Sequence, residues 1–186
     1  MKGLMKKPQA DFDYICELLE AFFKQSALRK SFRIIFEQEI TGWEVWFQVE
    51  FARFLAEHPG MPEWRRELTF QFDYRRESVR SYLKPDFIIR KKGWATDRYV
   101  ALEIKQHVNL GNCVSNMIED LAKVAKIRKS QIDLRSYWAL GIFQTDPDHN
   151  VEDIVAEKLH NSGLEYHAGV SSVTKISRTP FSYVLF

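Results

Sequence analysis

The segment from Lys84 to Gln106 constrains the fold more than any other part of the chain. Two short runs rich in β-forming residues, 87–89 and 99–104, flank a polar turn centred on Gly93. Apolar β-rich runs joined by a short turn that contains glycine are typical of a β-hairpin. The chain is therefore predicted to contain a sheet, with this hairpin inside it.

Three charged residues accompany the hairpin. Side chains alternate between the two faces of a strand, so Glu103 and Lys105 share the face opposite Ile104, and Asp86 stands at the start of the first run. Strand propensity does not favour charges in a half-buried sheet, which suggests that they carry chemistry. The structural alternative stays open: Asp86 as a turn residue after a proline, and Glu103 with Lys105 as an ion pair on an exposed strand.

A helix before the hairpin adds a fourth candidate. Thr41 and Glu44 fit a capping box that starts this helix, and His58-Pro59-Gly60 fits its end. Glu50 falls within an apolar stripe at helical spacing, and a buried ionised carboxylate needs compensation by a metal ion or a cation. The alternative is that Glu50 pairs with an arginine or lies at the edge of the stripe. The stripe consists of Trp43, Trp46, Phe47, Phe51 and Phe54.

The remaining segments indicate a mixed α/β protein. Its 186 residues suit one domain. Residues 29–40 fit a strand or a helix equally well. The other predicted elements are helices at 11–25, 113–129 and 150–161, and strands at 67–74, 137–143, 164–173 and 181–186.

Composition narrows the functional classes. The two cysteines lack metal-site or redox spacing, and no apolar run approaches the length of a membrane span. The N-terminus lacks the apolar stretch of a secretion signal, so a reducing cytoplasm is the expected location. Residues 61–130 carry a surplus of lysine and arginine, whereas the rest of the chain carries a surplus of acids. A basic middle suits a polyanionic partner such as DNA.

The charged residues of the hairpin carry a family resemblance. Pro85-Asp86 followed by Glu103-Ile104-Lys105 resembles the signature of the PD-(D/E)XK nuclease superfamily. The resemblance implies a restriction-endonuclease-like fold: an αβββαβ core around a mixed sheet, here spanning about residues 41–143. Residues 1–40 would then be an N-terminal helical addition, and residues 144–186 a C-terminal addition of one helix and two strands.

The resemblance also implies an activity, a metal and a set of roles. The chain would be a metal-dependent endonuclease, with Mg²⁺ (or Mn²⁺ in its place) held by Asp86, Glu103 and the backbone carbonyl of Ile104. Lys105 would orient or help deprotonate the water and offset charge, and Glu50 would join the metal site. All four side chains are thus expected to meet at one cation. A carboxylate of Glu50 far from the other two, or Glu103 and Lys105 on opposite sides of their strand, would overturn this nuclease hypothesis.

DNA is the expected substrate, and basic and aromatic residues around the signature are the candidate contacts. Trp94 suits either stacking on a base or packing within the protein, and the helix dipole explains the lysines of the helix at 113–129 equally well. One site per chain would require a homodimer to cut both strands. The candidate contacts are Arg75, Arg76, Lys91, Lys92, Trp94, Lys123 and Lys126.

Two other classes of function stay open. The first is a DNA-binding subunit of the same fold that no longer cuts and that positions DNA for a partner protein. The second is a protein-interaction domain whose basic segment is merely solvated. Salt-dependent DNA binding without metal-dependent cleavage is expected of the former.

Overall fold

A computed structural model describes residues 6–71, 82–95, 98–124, 133–145, 150–164, 167 and 169–186. Within these ranges the chain forms five helices and eight strands, and the predicted mixed α/β class is confirmed. The helices are α1 (Lys6–Phe23), α2 (Ser26–Glu37), α3 (Glu44–Glu57), α4 (Leu110–Val124) and α5 (Val151–Asn161). The strands are β1 (Glu63–Arg66), β2 (Phe70–Gln71), β3 (Tyr82–Leu83), β4 (Phe87–Arg90), β5 (Arg98–Gln106), β6 (Asp133–Gln144), β7 (Ser172–Lys175) and β8 (Phe181–Leu185).

Six of these strands form one mixed sheet in the order β1-β4-β5-β6-β8-β7. Only β5 and β6 pair in parallel, while every other neighbouring pair in this sheet is antiparallel. A parallel pair needs a long crossover connection, and α4 lies within that connection. The predicted hairpin is confirmed as β4 and β5, which pair Phe87 with Leu102, with Gly93 at a positive φ of 89° in the turn.

Both faces of the sheet are covered, which explains the alternation in β5. Val100, Leu102 and Ile104 are buried on the face covered by α1, α2 and α3. The opposite face packs under α4 and α5 through a second apolar cluster, and next to it Ala101 joins a small cluster that contains Phe70. Glu103 and Lys105 lie on the same face as Ala101, as the alternation predicts.

Gly141 of β6 allows α4 to approach the sheet closely. A Cβ atom at this position would clash with the sulfur of Met117 and lie 2.9 Å from Sγ of Cys113, both on α4. Since these are buried side chains of the core, they have little room to move away. The absence of a side chain at Gly141 therefore sets how closely α4 packs on β6.

The strand predicted at residues 67–74 is wrong in its boundaries and pairing. The strand that pairs with β4 in the main sheet is β1, which ends at Arg66, and Glu67 has a positive φ of 54° that interrupts the extended backbone. Within 67–71 only β2 is extended, and it pairs with β3 in a separate two-stranded sheet. Residues 72–74 lie outside the described part of the chain.

The predicted capping box at the start of α3 is also wrong. Trp43, not Thr41, occupies the N-cap position, and no side chain there caps the helix. Glu44 instead accepts a hydrogen bond from the backbone N–H of Gln106 at 3.2 Å. The predicted end is confirmed, since α3 finishes at Glu57, and the ambiguous segment 29–40 is largely helical, within α2.

The C-terminal elements follow the prediction more closely. Asn150 caps α5, since its side chain accepts the backbone N–H of Glu152 at 3.1 Å. The strand predicted at 137–143 lies within the longer β6, and β8 matches the last prediction, whereas β7 starts eight residues after the predicted 164. The end of the helix predicted to reach 129 lies outside the described residues. In the described part of the chain, no helix has both the length and the hydropathy required to cross a membrane.

Candidate active site

Two carboxylates continue the hydrogen bonding of β5 where it runs past the start of β4. The last pair between these strands joins Phe87 to Leu102, so the edge of β5 beyond this point needs other partners. Oδ2 of Asp86 accepts the backbone N–H of Ile104 at 2.7 Å, and Oε2 of Glu44 accepts that of Gln106 at 3.2 Å. Asp86 is thereby held against the central strand.

Glu103 and Lys105 lie beside Asp86 and contact each other. Nζ of Lys105 donates to Oε1 of Glu103 at 2.8 Å. The other oxygen of Glu103 accepts the backbone N–H of Asp86 and the hydroxyl of Tyr137, each at 3.3 Å. The structure therefore brings together three of the four residues that the sequence predicts for the site.

Asp120 of α4 completes the surroundings of Lys105. Its Oδ2 lies 2.8 Å from Nζ of Lys105, and its residue is only 8% exposed. The sequence prediction missed this residue. Asp120 follows Met117 by three positions and therefore falls on the inner face of the helix, which is the signal that could have revealed it.

Gln48 is the residue that α3 directs to the site. Its Nε2 donates to Oδ1 of Asp86 at 2.7 Å, and its Oε1 accepts from Nη2 of Arg66 at 2.5 Å. Gln48 is 5% exposed and shares the buried face of α3 with Phe47, Phe51 and Leu55. This position too was missed, although it lies four residues after Glu44 on the same helix face.

Glu50 does not reach the site, so its prediction requires correction. Its Oε2 pairs with Nη2 of Arg53 at 2.5 Å, and both side chains are partly exposed. Glu50 follows Gln48 by two residues, which is a rotation of about 200° around the helix. Since Gln48 points to Asp86, Glu50 points away from it, and the alternative of pairing with an arginine matches this arrangement.

The predicted nucleic-acid contacts of the hairpin turn lie at the other end of β5. Nζ of Lys91 is 3.9 Å from Oε2 of Glu17, and Lys92 is exposed. Trp94 packs edge-on against Tyr14, an arrangement that matches its packing alternative. At 3.3 Å per residue, the start of β5 is about 23 Å from Lys105 along the strand. Arg75, Arg76 and Lys126 lie outside the described residues, as does the side chain of Lys123.

Burial and mutual repulsion perturb the acids of the site. Burial raises the pKa of Asp86 to about 7, and the neighbouring charge of Glu103 adds to this rise. Burial also raises the pKa of Glu103, against the opposing effect of Lys105. Burial alone would lower the pKa of Lys105, but its hydrogen bonds to Asp120 and Glu103 hold it above the ordinary value. The site therefore concentrates negative charge around one ammonium group.

A hard divalent cation fits this set of donors. Among the described residues, no group of three or more His, Cys, Asp or Glu side chains is arranged as a metal site. Mg²⁺, however, is usually held by one or two carboxylates together with waters and substrate oxygens, which Asp86 and Glu103 can supply. The N–H and C=O of a strand residue face the same edge, so the carbonyl of Ile104 lies on the side of Asp86.

Comparisons with known proteins add no relative: no protein-family model matches the chain, and no curated protein or solved structure is significantly similar to it. The chemistry of the site therefore follows from its own side chains. Two raised-pKa carboxylates beside a fixed ammonium are suited to bind a divalent cation and to stabilise developing negative charge.

Proposed function

We propose that this protein is a metal-dependent endonuclease of the PD-(D/E)XK type that hydrolyses phosphodiester bonds in DNA. The observation that carries the proposal is the single hydrogen-bonded cluster of Asp86, Glu103 and Lys105. These are the three charged residues of the signature: Asp86 directly precedes β4, and Glu103 and Lys105 lie on β5. The proposal therefore rests on a convergence in space as well as on a motif.

The order of elements around this cluster supports the same class. Helix α3 precedes three antiparallel neighbours in the sheet, β1, β4 and β5, which are followed by α4 and by the parallel strand β6. This is the αβββαβ order expected of a restriction-endonuclease-like core. The β2–β3 pair is then an insertion between the first and second core strands.

Each residue of the cluster has a distinct role in the proposed reaction. Asp86 and Glu103 would hold Mg²⁺, which when bound lowers the pKa of water and neutralises phosphoryl oxygens. The ammonium of Lys105 has three N–H donors and uses two on Glu103 and Asp120. Within the described residues its third donor has no partner, and it would orient a water molecule or stabilise the charge that develops on the phosphate.

The position of Glu50 overturns the hypothesis in its four-residue form, so the proposal is limited to Asp86, Glu103 and Lys105. An amide, Gln48, occupies the place where an acid was expected, and both carboxylates of the signature already accept hydrogen bonds from the protein. This arrangement favours, as the second candidate, a subunit that binds DNA without cutting it. The nuclease proposal remains the first because the acids and the lysine are all present and in contact.

Cleavage of plasmid and single-stranded DNA with Mg²⁺ or Mn²⁺ tests the two candidates. The nuclease proposal expects metal-dependent cleavage by the wild type and its loss in Lys105→Ala and Glu103→Gln. Lys175→Ala is the control, since this exposed lysine lies on the edge strand β7. Equal activity in the wild type and Lys105→Ala would overturn the proposal. Salt-dependent DNA binding without cleavage would support the second candidate instead.

A further inference from the structure

Lys105 lies between two acids that come from different parts of the fold. Its Nζ is 2.8 Å from an oxygen of Glu103 and 2.8 Å from Oδ2 of Asp120. Glu103 stands two residues earlier on the same strand, whereas Asp120 lies on α4. The side chain of Lys105 is mostly buried, at 22% exposure, so these two contacts define where its ammonium group lies.

The two contacts differ in what happens to them when a cation binds. Glu103 is a ligand in the proposed function, and a divalent cation on its carboxylate would compete with Lys105 for Oε1 and would repel the ammonium. Asp120 contacts Lys105 from α4 and is not one of the proposed metal ligands. A cation on Glu103 would therefore leave the Asp120 carboxylate as a partner for Lys105.

We infer that Asp120 is a positioning residue, which would hold the ammonium of Lys105 in the site when Glu103 binds the cation. This inference rests on the proposed nuclease function. The close packing of α4 on β6 at Gly141 gives Asp120 a fixed distance from the sheet. A buried carboxylate also requires a partner charge, and Lys105 supplies it, so the pair is retained in both the free and the loaded site.

Asp120→Asn tests the inference because it keeps the shape of the side chain and removes its charge. A misplaced catalytic group can cost up to about 100-fold in rate, so kcat for cleavage should fall by about 10- to 100-fold. KM for DNA should change less than about twofold, since the inferred role of Asp120 is exerted in the transition state and not in substrate binding. Glu119→Gln is the matched control, because it removes an exposed acid from the same helix.

A double-mutant cycle separates positioning from a general structural effect. The cycle compares the residual single-turnover rate of Lys105→Ala, measured with Mn²⁺, with that of the double variant. Asp120→Asn should lower this residual rate no further, because residues that act through one another are not additive. A further loss as large as in the wild-type background would overturn the inference. So would an unchanged kcat in Asp120→Asn alone.

A second measurement does not depend on cleavage. With Mg²⁺ present, ¹⁵N relaxation of the Lys105 ammonium group should report a rigid group in the wild type and a mobile one in Asp120→Asn. If the wild type does not cleave DNA but this difference is observed, the nuclease proposal fails and the positioning of Lys105 by Asp120 stands. Equal rigidity in both proteins would refute the positioning itself, whatever the cleavage assay gives.

Discussion

Asp86 accepts the backbone N–H of Ile104 on its Oδ2 at 2.7 Å, in place of the strand partner that β4 no longer provides. This bond fixes a largely buried carboxylate against the central strand, next to the strand's own Glu103 and Lys105. A group held in this way requires little reorganisation to receive a cation. The relationship between Asp86 and Ile104 thus links the geometry of the sheet to the chemistry of the site.

The affinity for Mn²⁺ should depend on pH. A metal ion binds the ionised carboxylates, so it competes with the proton that Asp86 retains up to a pKa of about 7. Below pH 7 we expect the affinity to fall by about tenfold per pH unit as one proton must be displaced. Isothermal titration calorimetry between pH 5.5 and 8.5 measures this. An affinity that stays constant across this range contradicts the prediction, and Asp86→Ala should bind poorly at every pH.

The stability of the metal-free protein should decrease as pH rises, whereas the affinity for Mn²⁺ increases. The pKa of Asp86 rises from 3.8 to about 7 on folding, so the folded state binds this proton more tightly than the unfolded state. Stability from this group is present at low pH and is lost as pH increases from about 4 to about 7. In EDTA, the Tm of the wild type minus that of Asp86→Ala should therefore be lower at pH 8 than at pH 5. A difference in Tm that does not change with pH would rule out the raised pKa of Asp86.

Substitution of Gln48 should destabilise the protein more than substitution of Glu50, contrary to the role that the sequence predicted for Glu50. Gln48→Leu removes the partner of Oδ1 of Asp86 and one of the acceptors of Arg66, which keeps its ion pair with Glu67. This should cost about 1–3 kcal/mol of unfolding free energy. Glu50→Gln removes only a partly exposed pair with Arg53 and should cost less than about 1 kcal/mol. Urea denaturation measures both. If Glu50→Gln bound Mn²⁺ more weakly than the wild type, Glu50 would belong to the metal site after all.

Adding one methyl group at Gly141 tests the close contact between α4 and β6. Gly141→Ala places a methyl group against Met117 and Cys113, and such overpacking should destabilise the protein by about 1–3 kcal/mol. Gly111→Ala is the control on α4, since the atoms nearest to the added methyl group, Oδ1 of Asn109 and Cε of Lys158 at 3.2 Å, belong to side chains outside the buried core. Equal Tm values for the two variants would show that α4 does not depend on this close approach.

Local pattern alone predicted the elements whose signal lies within a few residues. The β4–β5 hairpin follows from two β-rich runs around Gly93, and the sides of Glu103 and Lys105 follow from the period of two along a strand. The start of α5 was predictable for the same reason, because the side chain of Asn150 caps the helix by accepting the backbone N–H of Glu152, only two residues later.

Other features depended on groups distant in the chain. The apolar pattern of α3 runs around much of the helix, so it did not distinguish Gln48 from Glu50; the packing of α3 against β4 and β5 decided which one faces Asp86. Glu44 had a plausible local partner in Thr41 but binds Gln106 instead, 62 residues away. The strand neighbouring β4 was likewise decided by pairing across the sheet, not by the stronger alternation after Arg66.

The sequence by itself therefore determined the hairpin, its two faces and the three residues of the signature. Only the tertiary structure decided which residues surround them. It places Gln48 and Asp120 beside the signature residues and leaves Glu50 outside the site. The physical reason is that a strand has two faces, which alternation distinguishes directly. A helix turns by about 100° per residue, so the side chain that meets a site is selected by packing against residues that local sequence does not contain.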